Sequence, residues 1–187
     1  MPKYFDFEVS LLSAELRMWR RFLLRQTATF RDLHSAIQDA CGWEECHLYE
    51  FRESKGRQAL ARAPYQDPFD DSNTPTDTKV KLALHFTRKG SKCIYLYDFG
   101  DSWEHLVELK AVVDLPGKLK RKLVGGARAF PPEDCGGIWG YERCLAAVGA
   151  IKADDFDEIE LEEAREWLGD WEPEAFDLEA TQKDFDR

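Results

Sequence analysis

Residues Ile94 to Leu109 read IYLYDFGDSWEHLVEL, two strand-like runs (Ile94–Phe99 and Trp103–Leu109) around a Gly100-Asp101 turn. Apolar and polar side chains alternating on both sides of a glycine-containing turn are the pattern of a β-hairpin. A two-residue turn at Gly100-Asp101, or a four-residue turn from Phe99 to Ser102, sets Asp98 opposite Trp103 and Leu96 opposite His105. Opposed residues of antiparallel strands point to the same face. This register predicts Asp98, Trp103 and His105 on one face, with Tyr95, Tyr97 and Glu104 on the other. A three-residue turn would shift the pairing by one and dissolve that grouping.

Upstream, Phe5-Asp6-Phe7-Glu8-Val9-Ser10-Leu11 alternates as a half-buried strand does, and Arg17–Arg25 (RMWRRFLLR) reads as its hairpin partner. Thr29 followed by Asp32 predicts a capped helix start, because the hydroxyl can accept from a free backbone N–H and the acid suits the positive helix end. Phe30, Leu33, Ile37, Ala40 and Cys41 follow at helical spacing, and Gly42 can close the helix in a left-handed conformation. His34, beside that stripe, reads as a structural histidine. His47–Arg52 and a short run near Gln58–Ala61 complete a strand–strand–helix–strand–strand order. That is the order of a β-grasp half, one helix laid across a mostly antiparallel sheet.

Residues 63–78 (APYQDPFDDSNTPTDT) are turn-forming and predict a loop. Val80–Arg88, with Gly90 behind it and Thr78 as a cap, reads as a short helix. After the central hairpin, Pro116–Gly126 (PGKLKRKLVGG) reads as a basic surface connection. Pro131-Pro132-Glu133-Asp134-Cys135-Gly136-Gly137 predicts a tight irregular loop, its prolines presetting the backbone. Tyr141, Cys144, Leu145 and Val148 mark the buried face of one helix, and a last helix covers roughly Leu161–Leu168 before Gly169. The remaining segment is expected to pack Trp171 and Phe176 onto the body.

A chain of 187 residues with 43% hydrophobic content is most simply one α+β domain spanning 1–187. No apolar run approaches the roughly 18 residues that span a membrane, and Asp6 sits where a signal peptide needs apolar residues. Five cysteines, an odd count without a CxxC pair, give little support to either a disulfide framework or a zinc site, so a reduced, cytoplasmic setting is expected. The net charge of −10 disfavours non-specific phosphate-backbone binding. Its acids concentrate in residues 129–187, which read as solvated helical faces. Arg17, Arg20, Arg21 and Arg25 form the most basic short segment. They read either as a charged edge strand that discourages pairing with other chains, the preferred reading, or as a DNA-contacting ribbon.

Chemistry concentrates at the hairpin. A carboxylate near an imidazole orients one tautomer and prepares the ring as a base or metal ligand. Asp98, His105 and Glu133 are therefore the catalytic candidates; Asp98, Asp101 and His105 are the candidate ligands of a divalent metal. Asp101, Trp103, Glu133 and Asp134 join Asp98 and His105 as candidate binding residues, if the fold brings the two loops together. The competing reading gives Asp98 and Asp101 a turn-stabilising job and makes His105 a satisfied, partly buried side chain. Asp98-Phe99-Gly100 matches the magnesium-binding triplet of protein kinases, but no Gly-rich loop or HRD triplet accompanies it. GxSxG, HExxH, Walker and GxGxxG patterns are absent too. Cys135 makes a poor nucleophile, since the neighbouring Glu133 and Asp134 would raise its pKa.

YDFGDSWEH together with PPEDCGGIWGY resembles the plasmid ORF-three-like family, named from an agrobacterial Ri plasmid. WRRFLL, TFRDLHSAIQDACGWEECHLYEF and WLGDWEPEAFDL fit its other blocks in order, so the resemblance covers nearly the whole chain. It implies a setting on plasmids and near mobile elements; some members carry a resolvase label and some are joined to repressor-type DNA-binding domains. Relatives often have further cysteines upstream of PPEDCGG, where this chain has Leu123 and Phe130. A cysteine-based metal site or disulfide there is accordingly not expected. The reading that follows is a non-catalytic binding module with a protein partner, beside mobile-element or DNA-related proteins, with no cofactor required. The alternative is a metal-assisted or acid/base hydrolase using Asp98, Asp101 and His105.

Overall fold

The computed structural model describes residues 1–56, 58–64 and 74–186. Seven strands form one sheet: β1 (Lys3–Leu11), β2 (Trp19–Arg25), β3 (Tyr49–Glu53), β4 (Ala59–Arg62), β5 (Lys92–Tyr97), β6 (Trp103–Asp114) and β7 (Arg121–Ala127). Their order is β4-β3-β5-β6-β1-β2-β7, and every pairing is antiparallel. The helices are α1 (Phe30–Cys41), α2 (Gly137–Ala147), α3 (Glu158–Leu168) and α4 (Leu178–Phe185). The first five elements keep the expected hairpin–helix–hairpin order, and β5–β6 lies between the two hairpins. The architecture is thus α+β, as the alternating patterns indicate.

One sheet face is apolar and covered. Phe5, Phe7 and Val9 of β1, Phe22 and Leu24 of β2, Phe51 of β3, and Val107 and Leu109 of β6 are buried with Phe30, Leu33 and Ile37 of α1. Each such side chain contributes about 1.5–3 kcal/mol on burial. The opposite face is laced with ion pairs: Asp6–Arg21, Glu8–Arg17, Arg52–Glu104 and Lys92–Glu108. Helix α1 starts as its sequence requires. The Thr29 hydroxyl accepts from Asp32 N, Thr29 N donates to the Asp32 carboxylate at 2.7 Å, and Gly42 closes the far end at φ 81°. Such a cap stabilises by about 1 kcal/mol.

Several segments differ from expectation. The hairpin loop runs from Asp98 to Ser102, so Tyr97 opposes Trp103, Leu96 opposes Glu104 and Tyr95 opposes His105. The odd-length loop shifts the register by one residue and separates Asp98 from the face of Trp103 and His105. Burial decides this: the shift carries Tyr95 and Tyr97 to the covered face, with relative exposures of 0% and 1%. Asp98 leaves the strand and adopts φ 54°, a left-handed geometry that aspartate tolerates better than most residues.

Val80–Arg88 holds only a 3-10 turn at Leu82–Leu84. Its backbone is committed elsewhere, since Phe30 N donates to Val80 O and Leu82 N to Ala28 O. The basic connection ends in β7, which pairs with β2 from Leu24↔Arg121 to Trp19↔Ala127. Helix α3 starts earlier than expected, behind an Asp157–Glu160 capping box, and is not last: α4 follows behind Asp177. Val148 lies at the C-cap of α2 and is exposed, whereas Tyr141, Cys144 and Leu145 are buried. Of the loop expected over 63–78, residues 65–73 lie outside the described residues.

Candidate functional site

Three chain segments meet at one end of the sheet. The first is the link from α1 to β3, carrying Trp43, Cys46 and His47; the second is the Asp98–Ser102 loop; the third is the 129–136 stretch before α2. Trp43 joins first to third: its indole Nε1 donates to Pro131 O at 2.9 Å while its ring stacks on Tyr97, centroids 5.1 Å apart. Gly136 N donates to Asp101 Oδ2 at 3.2 Å, and a Cβ on Gly137 would sit 2.9 Å from Asp101 O. A glycine is required there because backbone meets backbone. The hairpin loop and PPEDCGG are therefore neighbours.

The Tyr97 hydroxyl lies at the centre of this junction. It donates to Glu133 and accepts from Cys46 N at 3.2 Å and His47 N at 3.3 Å. Burial, then the Glu133 carboxylate, push its pKa well above the ordinary tyrosine value. The other Glu133 oxygen accepts from Glu44 N at 2.6 Å, and Cys46 Sγ lies 3.3 Å from Glu133 Oε1. His47 Nε2 is 2.8 Å from Asp134 Oδ1 and 3.7 Å from Asp98 Oδ2. Asp98 also braces its own loop, accepting at Oδ1 from Gly100 N at 2.9 Å.

The ligating atoms of Cys46, His47 and Glu133 all lie within 4.8 Å of one another, as do those of His47, Asp98 and Asp134. The two sets share His47. A mixed sulfur–imidazole–carboxylate set suits zinc or a similar borderline cation rather than magnesium or calcium, which prefer oxygen alone. Desolvation and then the Glu133 contact raise the Cys46 thiol above its ordinary pKa, so without a metal it is not a thiolate nucleophile.

Of the residues singled out from sequence, Asp98, Glu133 and Asp134 converge here, and Asp101 closes the junction from behind. Trp103 and His105 do not join them: they are 2% and 0% exposed on the covered face. His105 Nδ1 lies 3.2 Å from Trp103 O, its ring is stacked on Phe130, and Nε2 has no hydrogen-bond partner. Burial lowers its pKa to about 4. His34 is likewise structural, 2.7 Å from the Tyr95 hydroxyl and stacked on Tyr49, its pKa lowered by burial to about 3. Cys135 has a raised pKa, set first by its Cys144 contact and then by burial, with Asp101 as the contributing acid instead of Glu133 or Asp134.

The imidazole beside the carboxylates is thus His47, which sequence reasoning absorbed into a strand. Its partners lie 51 and 87 residues further along, and its local signal was only a Cys-His pair before the strand. The four arginines divide. Arg17 pairs with Glu8, Arg21 with Asp6, and Arg25 holds Leu119 O, whereas Arg20 turns to the covered face and is 4% exposed. A four-arginine ribbon on one surface therefore does not form.

No described helix is long and apolar enough to cross a membrane. The family model for the plasmid pRiA4b ORF-3-like protein matches residues 3–180. An uncharacterized protein, y4hQ, of Sinorhizobium fredii is 33% identical over 163 residues, covering 87% of this chain and 79% of that one. The crystal structure of MM3350 from Methanosarcina mazei, a protein of unknown function, is similar with a TM-score of 0.79 at 32% identity, covering 96% of both chains.

Proposed function

The chain belongs to the plasmid pRiA4b ORF-3-like family, and we propose that it is a non-catalytic binding module organised by a divalent transition metal at His47. One observation carries this reading: His47 Nε2 sits between the carboxylates of Asp134 and Asp98, while the neighbouring Cys46 thiol faces Glu133. A cation there would join three segments far apart in sequence into one surface. Such a surface suits a protein partner, and the resemblance to plasmid and mobile-element proteins supports a partner from that setting. Five unpaired cysteines support a place in the reducing cytoplasm.

Metal analysis of the purified full chain, with calorimetric titration of zinc into the chelator-treated protein, tests the reading. One equivalent bound by the native chain and lost in His47→Ala is the expected result. No binding, or equal binding by His47→Ala, would overturn it. A pull-down comparing zinc-loaded with chelated protein is expected to recover a partner only from the loaded form.

A second reading, metal-assisted hydrolysis, draws on the small number of protein ligands in either set, since a three-ligand cation keeps a position for water. Turnover of phosphodiester or ester substrates by the zinc-loaded protein, abolished by Asp98→Asn, would favour it over the binding module.

A further inference from the structure

Behind the His47 cluster lies a cleft of about 310 Å3, bordered by the end of α1, residues 129–133 and the 171–181 segment. Arg20 of β2 lines it, although almost none of that residue is exposed. The guanidinium is clamped between two rings, its carbon 4.8 Å from the Phe130 centroid and 4.2 Å from that of Phe176. Nε donates to Ala40 O at 2.8 Å, and Nη1 donates to Trp19 O at 2.9 Å and Ala127 O at 3.1 Å. Gly126 lets the group in: a Cβ there would sit 2.6 Å from Phe176 and 2.8 Å from the Arg20 stem.

Nη2 donates no hydrogen bond to a described residue and is not cut off from solvent, and Arg20 forms no ion pair with any described residue. A buried cation without a counter-charge is costly, and three carbonyls neutralise it only in part. Two acids border the cleft, Glu133 and Asp177, and both are engaged. Glu133 accepts from Tyr97 and Glu44 N, and Asp177 caps α4 through Ala180 N. The Cys41 thiol, also on the cleft, is held neutral, since burial pushes its pKa up to about 12. Nη2 is then the guanidinium nitrogen left to meet a group that enters the cleft.

We propose that this cleft binds a small organic carboxylate, its charged end on Arg20 Nη2 and its apolar body against Trp43, Phe130 and Phe176. A cleft of this size with aromatic side chains and a few placed polar groups in its lining is a usual form of small-molecule site. The N–H groups of a single nitrogen serve one carboxylate oxygen. The acids at the rim oppose a dianionic phosphate more strongly than a monoanion. This site is separate from the His47 cluster except for Glu133, which borders both.

Benzoate and phenylacetate are the probes, titrated by NMR into the chelator-treated full chain, with benzamide and phenyl phosphate as controls. Saturable shifts of the tryptophan indole signals are expected, with a Kd on the order of 1 mM or tighter. Benzamide, which keeps the ring but lacks the charge, should bind at least about tenfold more weakly. Arg20→Gln is expected to abolish the shifts. Because that change removes a buried anchor, Ala175→Trp is the second variant: Ala175 is an exposed residue of the cleft wall, and the larger side chain blocks the space without touching Arg20. It should lose benzoate binding while the melting temperature stays unchanged. His47→Ala should retain it, which separates failure of this site from failure of the metal reading. No shifts, equal binding of benzamide, tighter binding of phenyl phosphate, or undiminished binding by Ala175→Trp would each overturn the proposal.

Discussion

His105 and His47 sit at the two ends of one local problem. His105 belongs to the strand wall, enclosed by Trp43, Tyr95 and Phe130, and burial holds it neutral. His47 lies on a connecting loop, its side chain 29% exposed, with a carboxylate on either side. Residue type does not separate them. What differs is the company that the fold supplies: aromatic rings and backbone carbonyls in one case, acids from two distant loops in the other. A histidine near an acid in sequence can thus be packing material, while one whose carboxylate partners lie 51 and 87 residues further along the chain becomes the candidate ligand. Tyr97 spans both surroundings, its ring under Trp43 and its hydroxyl on Glu133.

Experiments can break this contrast at either end. Trp103→Ala empties a fully packed position on the wall and is expected to cost about 3–5 kcal/mol, read from urea unfolding. A cost under about 1 kcal/mol would mean that the wall is not the packed core described. Acidification should act on the wall next. His105 has a folded pKa of about 4, below its ordinary 6.5, so the unfolded chain takes up the proton first as pH falls. The stability is fully present above pH 6.5 and is lost as pH drops through the window toward 4, by up to about 1.4 kcal/mol per unit. His34, with a folded pKa of about 3, adds a loss of the same sign that extends lower. His105→Phe is expected to flatten the acid limb of a melting-temperature profile; an unchanged limb would place the proton elsewhere.

Tyr97→Phe keeps the ring and removes the hydroxyl that holds Glu133 and the two amides. A loss of about 1–3 kcal/mol is expected, together with weaker zinc binding by calorimetry, because Glu133 is no longer aimed. At the loop end, His47→Ala should change the stability of the metal-free protein by less than about 0.5 kcal/mol. It should nonetheless erase any rise in melting temperature produced by zinc. A large loss in the metal-free state would make His47 structural and remove the contrast.

The legible parts of the fold are those decided locally. Helix α1 announces itself through Thr29, Asp32, its apolar stripe and Gly42, and the structure places each where its chemistry requires. Strand β7 was hidden because Arg121, Lys122, Gly125 and Gly126 have the composition of a surface connection. Its pairing with β2 provides stabilisation that no propensity records. The hairpin register depended on a single question, whether Asp98 belonged to strand or loop, and two distant facts settled it. Asp98 N bonds Leu48 O, and the tyrosines face a core that α1 completes. The candidate site was legible in its acids, Asp98, Glu133 and Asp134, but not in its imidazole. Periodicity places His47 at the start of a strand and says nothing of which loops fold back upon it.

The way α4 meets β7 bears on what covers one edge of the sheet. The outer N–H and C=O of Leu123 are taken by Asp186 and Gln182, at 2.9 and 2.8 Å, and Arg121 bonds Phe185 O. The short C-terminal helix therefore occupies the hydrogen-bonding groups that an eighth strand would need. A chain ending at Asp177 should leave open backbone partners along edge strand β7, and light scattering is expected to show it assembling into larger particles.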